Sequence, residues 1–149
     1  MITPLNPPRD FGSPFHSQGT LVTDIEKLVV VAGQVGARAN GTIGKGIAEQ
    51  TTIAMENVRA VLTEAGLDLT AVIKLTFYLT DATHIPEFRD HAAPYLHEDP
   101  TQRPAATLLL LPQLANPDLL IQIEAIAATS ATRTQFRPRD AHPAPIRLT

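Results

Sequence analysis

The sequence predicts an α+β fold, a single sheet with two helices packed on one face, in the order ββ-α-β-α-ββ. Three observations predict it. Residues 72–79 alternate strictly between apolar and polar side chains; from Ile47 apolar or small residues recur every third or fourth position; and residues 105–111 and 119–127 are short apolar runs separated by turn formers. With 149 residues, 44% hydrophobic and 18% charged, the chain has the length and apolar content of one domain with one core.

Each element follows from its local pattern. The opening segment, with Pro4, Pro7, Pro8 and Pro14, reads as an extended arm over residues 1–18. Residues 19–22 and 27–32, broken by polar residues 24–26, read as a hairpin, and the glycine-punctuated stretch 33–41 as a loop. Thr51, Ala54, Val58, Leu62 and Ala65 mark one stripe of an amphipathic helix, which Gly66 stops at the C′ position. The strand at 72–79 sets Ile73, Leu75, Phe77 and Leu79 on one face and Lys74, Thr76 and Tyr78 on the other. Pro86 suits the first turn of a second helix that buries Ile85, Phe88, Ala92 and Tyr95, and Pro94 shortens or kinks it. Two final strands, 105–111 and 119–127, flank a turn region at 112–118. Leu108, Leu110, Leu120 and Ile126 leave too much apolar surface on the second sheet face for water, so oligomerisation through that face is expected. The domain is then 19–130. The tail at 131–149, rich in proline and arginine, is either a free basic extension or a strap over a neighbouring subunit.

Composition removes several function classes. Without cysteine there are no disulfides, thiolate metal sites or thiol nucleophiles. No apolar run approaches the length needed to span a bilayer, and the amino-terminal stretch lacks a secretory signal pattern, so a cytoplasmic protein that does not enter membranes is expected. Residues 133–149 carry four arginines against one aspartate, which leaves the other 132 residues at −6. That acidity, with 5% aromatic residues, removes the electrostatic term nucleic-acid binding needs.

Four segments in order, Ala32-Gly33-Gln34-Val35, residues 50–58 with 61–67, Val72-Ile73-Lys74-Leu75-Thr76 with Leu79-Thr80-Asp81, and 121–127, together resemble the RidA/YjgF family of reactive-intermediate deaminases over roughly 19–128. The resemblance implies a chorismate-mutase-like subunit with a mixed sheet, assembled as a homotrimer with three ligand clefts at the subunit boundaries. It also implies hydrolysis of amino-acid-derived imines and enamines to ammonia and a keto acid, without metal or organic cofactor. That chemistry needs a cation to clamp the substrate carboxylate, and a water held against the imine carbon while a proton reaches nitrogen.

The chain departs from the family pattern at the site. Where the family has Pro-Ala-Arg, this sequence has Pro104-Ala105-Ala106; Gln122 stands for a site glutamate, Ala92 for a site asparagine, and Thr107 for the serine before Leu108. Arg103 lies three residues from Ala106, so on a regular strand it faces the other way unless Pro104 bulges. Arg38 and a tail arginine from a neighbour are the other anchors. Glu124, a carboxylate within an apolar strand, reads either as a proton carrier or as a structural charge paired across the subunit boundary, for example with Lys74. Gln122 can orient a water but cannot move a proton. His16 takes the place of a pocket tyrosine if Ser17-Gln18 is the anchor, and Phe15 takes it if Pro14 is. His84 and His91 are seven residues apart, about 10 Å along a helix, and cannot share an ion within one subunit; a ring of equivalent histidines about a threefold axis stays open. The resemblance therefore implies Glu124, His16 and Gln122 as catalytic residues, and a small-molecule pocket shaped by Gly33, Ala106, Thr107, Leu108, Ala92 and Tyr78, with no metal. The other reading is a trimer that kept the scaffold, binds a ligand or partner, and lost the chemistry.

Overall fold

The computed structural model describes residues 1–8 and 13–131; the tail lies outside the described residues. Among the described residues six strands and two α-helices follow in order: β1 (Ile2–Leu5), β2 (Gly19–Val22), β3 (Ile25–Val35), α1 (Gly46–Glu64), β4 (Val72–Leu79), α2 (Ile85–Ala92), β5 (Ala105–Leu110) and β6 (Ile121–Ser130). The main sheet runs β3-β6-β4-β5, with β4 and β5 parallel and the other pairs antiparallel. The mixed α+β class is as expected.

The amino-terminal region corrects the expected hairpin. β2 pairs with β1, not β3, so the proline-bearing arm is itself a strand in a two-stranded ribbon, where Pro4 costs no central ladder bond. The ribbon crosses one end of the main sheet. Thr20 Oγ1 donates to Ile73 O at 2.9 Å, the Ser17 N–H donates to Pro104 O at 3.3 Å, and Ser130 Oγ donates to Thr23 O at 2.8 Å. β3 in turn runs on through Gly33-Gln34-Val35, the first part of the stretch expected as a loop, because Gln34 and Val35 pair with Ile123 and Gln122 of β6.

The helix readings hold. Ile47, Thr51, Ala54, Met55, Val58 and Leu62 line the buried stripe of α1, and Gly66, at φ +70°, closes it: its N–H donates to Thr63 O and that of Leu67 to Leu62 O, both at 2.9 Å. Proline at the start of α2 gives way at Ala93–Tyr95 to a 3-10 turn where Pro94 forbids the α ladder. On β4 the irregular pairing between Val72 and Lys74 turns Val72, rather than Ile73, toward the core. Leu75, Phe77, Leu79, Ile121 and Ile123 then pack under α1 and α2, with Phe77 edge-on to Phe88 at 4.8 Å.

The apolar residues expected on the far sheet face are redistributed. Parallel pairing sets Leu108 beside Phe77 and Leu110 beside Leu79, which puts both on the helix side, and Leu120 packs against the core; of the four only Ile126 stays on the open face. That face is apolar for a different reason: Val30, Leu28 and Leu109 are 73%, 57% and 46% exposed. Among the described residues no helix is long and apolar enough to cross a membrane.

Candidate functional site

The candidate residues fall into two sets, one on each face of the main sheet. On the open face, register places Tyr78 beside Gln122 and Thr76 beside Glu124, with Lys74 beside Ile126 and Thr107 beside Thr76. Tyr78 donates its hydroxyl to Glu124 Oε1 at 3.1 Å. That bond, then burial, then the negative charge of Glu124 push the Tyr78 phenol above its ordinary range, so it stays a donor. Glu124 is half-buried on this face, not enclosed in the core, and its partner within the chain is Tyr78. Lys74 instead donates to Thr107 Oγ1, and burial holds its ammonium below the usual lysine range.

Gln122 lies flat over Gly33. A Cβ built on Gly33 would meet Gln122 Nε2 at 2.0 Å and Cδ at 2.6 Å, so only glycine lets this amide rest against the β3 backbone. Among the described residues the Gln122 amide has no hydrogen-bond partner, which leaves it free to hold a water or a ligand carbonyl.

The second set lies on the helix side, at the ribbon end. Phe15, His16, Leu96, Arg103, Pro104 and Ala106 border a crevice that leaves no room for a water-sized sphere. His16 Nδ1 lies 2.8 Å from Ser17 O. A carbonyl only accepts, so Nδ1 carries the proton and, in the neutral ring, Nε2 is left as a bare acceptor. Ala106 and Leu108 face the core from β5, and Ala92 is wholly buried there, which keeps Ala92 from any cleft.

Of the expected anchors Arg103 and Arg38 are otherwise engaged, and the tail arginines lie outside the described residues. Arg103 and Ala106 border the same crevice; strand alternation does not govern Arg103 because β5 begins only at Ala105. Its guanidinium is spent on structure, with Nε donating to His97 O at 2.6 Å and Nη1 to Phe15 O at 3.3 Å, and the residue is 9% exposed. Arg38 pairs with Glu49 at the start of α1, whose carboxyl is held below its usual range first by the Lys45 N–H and then by Arg38. Among the described residues no three histidine, aspartate or glutamate side chains converge as metal ligands.

Sequence reasoning missed two groups. Arg89, on the nominal solvent side of α2, lies over the Phe15 ring at 5.3 Å. Gln50 is 1% exposed and fully bonded: Nε2 donates to Gly44 O and Asp118 O, and Oε1 accepts from the Leu120 N–H. Its position beside Thr51 on the buried stripe was the available signal for Gln50, whereas periodicity held none for Arg89.

A two-helix, four-stranded α+β domain with polar groups gathered on both sheet faces is the class defined here. The chain belongs to the RidA/YjgF family: the family described as Endoribonuclease L-PSP matches residues 15–129. A RutC family protein of Pyrococcus abyssi is 37% identical over 105 residues, covering 69% of this chain and 80% of the relative. The 2-iminobutanoate/2-iminopropanoate deaminase of Bos taurus is 30% identical over 121 residues, covering 80% and 83%. Among solved structures, a Rid family protein, YyfB of Yersinia pestis, superimposes with a TM-score of 0.74 at 29% identity, covering 86% of this chain and 98% of that one.

Proposed function

We propose that this protein hydrolyses a small imine or enamine in a cleft shared by neighbouring copies of a homotrimer. The observation that carries the reading is the split of the candidate residues over two sheet faces. Within one chain, His16 cannot meet Gln122 and Glu124 across the sheet, but a neighbour that lays its open face against the ribbon end brings the two sets together. Exposed Val30, Leu28 and Leu109 supply the apolar area for such a contact. The Bos taurus relative, by its name, acts on iminobutanoate and iminopropanoate, which supports a small amino-acid-derived substrate.

In this scheme a water accepts orientation from the Gln122 amide and adds its oxygen to the imine carbon. His16 Nε2 takes one proton of the water and returns it to the imine nitrogen, giving the carbinolamine; the hydroxyl proton then passes to the same nitrogen, again through Nε2, the C–N bond breaks, and a carbonyl and ammonia are left. Glu124, held by Tyr78, presents negative charge to the nitrogen as it becomes cationic.

The test is ammonia release from freshly generated imines of small and bulky amino acids. Acceleration above the uncatalysed rate is expected, and His16→Gln is expected to lower kcat by roughly 10²-fold or more, the usual share of an acid–base group. Absence of acceleration with every imine would overturn the enzyme reading. The replacement of family site residues by Ala106, Gln122 and Ala92 favours the second reading, a trimer that kept the scaffold, binds a ligand or partner, and lost the chemistry.

A further inference from the structure

α2 has 8 residues against the 19 of α1, so it leaves part of that helix uncovered. Past Pro94 the chain departs in extended form at Leu96, and beside it lies a cavity of about 310 Å³ between α1, the turn before β4 and residues 94–104. Buried Met55, Val72 and Leu75 form its floor, and half-buried Leu69, Leu96 and Pro104 its apolar walls. An apolar lining with a few polar groups at the rim is the usual make-up of a small-molecule pocket. A cavity of about 150 Å³ already takes a benzene ring, so this one has room for two fused rings.

The rim decides what charge the occupant carries. Arg59 is already paired: its Nη1 lies 3.3 Å from Glu56 Oε1, its Cζ lies 5.2 Å from the centre of the Tyr95 ring, and the Tyr95 hydroxyl donates to the same Oε1 at 2.8 Å. An acid ligand would have to compete with Glu56 for that guanidinium. Two other rim groups are uncommitted. His97 Nδ1 accepts from the Asp99 N–H at 3.1 Å, which places the proton of the neutral ring on Nε2 as a donor. Neither Nε2 nor the Gln102 side-chain amide has a partner among the described residues, and both residues line the cavity. The rim thus keeps its cation occupied and leaves hydrogen-bond donors free.

We propose that this cavity is a second ligand site, which takes a neutral, planar molecule of one or two fused rings bearing a carbonyl. The rings cover the apolar walls at Leu69, Leu96 and Pro104, and His97 Nε2 and the Gln102 amide donate to the carbonyl oxygen. The site does not depend on the hydrolysis proposed above, and its ligand is not the substrate of that reaction. Leu75, Leu96 and Pro104 also border the crevice of His16 and Ala106, so the bound rings rest against the other side of that wall.

Methionine supplies the test, because the chain has only two, Met55 at the cavity floor and exposed Met1. Nuclear magnetic resonance of the full chain with isotope-labelled methionine methyl groups follows both, with 2-naphthamide as the probe and 2-naphthoate as the acid of the same shape. The expected result is a saturable shift of the Met55 methyl signal, an unmoved Met1 signal, and binding of 2-naphthoate weaker by roughly tenfold or more. Leu69→Trp fills the cavity and removes the shift. Gln102 is exposed, so Gln102→Ala keeps the wild-type circular dichroism spectrum and weakens binding by roughly threefold to tenfold, the share of one hydrogen bond. No shift at Met55, equal binding of the amide and the acid, or unchanged affinity in both variants overturns the proposal. So does a nuclear Overhauser contact between Phe136 and the Met55 methyl in the unliganded chain, which would give the cavity to the chain's own carboxyl-terminal segment. None of these readouts involves ammonia release, so the site and the hydrolase reading stand or fall separately.

Discussion

Gly33→Ala gives the sharpest view of the open face, because its sign depends on one neighbouring side chain. Gly33 lies within β3 and has no positive φ, so alanine can adopt its backbone without strain, and by conformational entropy alone the change would stabilise by about 0.4–1 kcal/mol. The new Cβ, however, falls 2.0 Å from Gln122 Nε2, 2.6 Å from Cδ and 2.9 Å from Cγ. All three atoms belong to a flexible side chain, which has to swing off its resting place. Overpacking of this kind costs about 1–3 kcal/mol, so the net loss centres on about 1.3 kcal/mol. In a chain of this size that is a fall in Tm of about 3–5 °C. In a Gln122→Ala background the obstacle is gone, and Gly33→Ala is expected to raise Tm instead. The assay is a double-mutant cycle by thermal or urea denaturation, with ammonia release measured on the same four proteins. Gly33→Ala should also depress turnover, since it displaces the amide that orients the water. The same sign in both backgrounds would refute the placement of Gln122 over Gly33.

Other expectations concern pH, the core and proton transfer. Both tyrosines of the chain, Tyr78 and Tyr95, have phenols raised above the ordinary range, Tyr78 chiefly by its bond to Glu124 and Tyr95 chiefly by burial. The fold therefore favours the neutral phenols, a contribution fully present below the unfolded tyrosine pKa and lost as pH rises through the folded values. Ultraviolet titration should show both ionising late, and Tyr78→Phe should leave one such transition and reduce the alkaline loss of stability; early ionisation of either would contradict the contacts. Gln50→Leu strands the Leu120 N–H and the carbonyls of Gly44 and Asp118, at a cost of about 2–5 kcal/mol, with faster amide exchange at Leu120 as the local signature. His16→Gln should lower kcat and leave KM nearly unchanged, as steady-state kinetics on the same imine would show; an equal loss in both would contradict a role in proton transfer.

Much of the fold was legible because its helices and central strand obey short periods. The stripe from Ile47 to Leu62, the stop at Gly66 and the alternation of Leu75, Phe77 and Leu79 each follow from residues no more than four apart. What could not be read depended on distant partners. Nothing near Pro4 announces that it pairs with Thr20, and nothing near Leu108 says that β5 runs parallel to β4, although that pairing decides which face Leu108 and Leu110 occupy. The single irregularity between Val72 and Lys74 exchanges Val72 for Ile73 in the core. At the site, sequence identified the positions that differ from the family pattern but not their division between two faces, which needs register across four strands. Arg89 was invisible because an arginine next to a buried phenylalanine on a helix looks like any solvated charge until Phe15, distant in sequence, is laid beneath it.

The strand order has a consequence for how the chain comes into being. β6 is the last of the described strands to leave the ribosome, yet it fills the gap between β3 and β4, and until residues 121–130 emerge those two strands are not neighbours at all. The nascent polypeptide then carries two raw hydrogen-bonding edges, one of them flanked by Leu28 and Val30, and any foreign strand could seize either. A chain cut short before Ile121 lacks the keystone of its sheet, so synthesis has to pass Ser130 before the protein can begin to be itself.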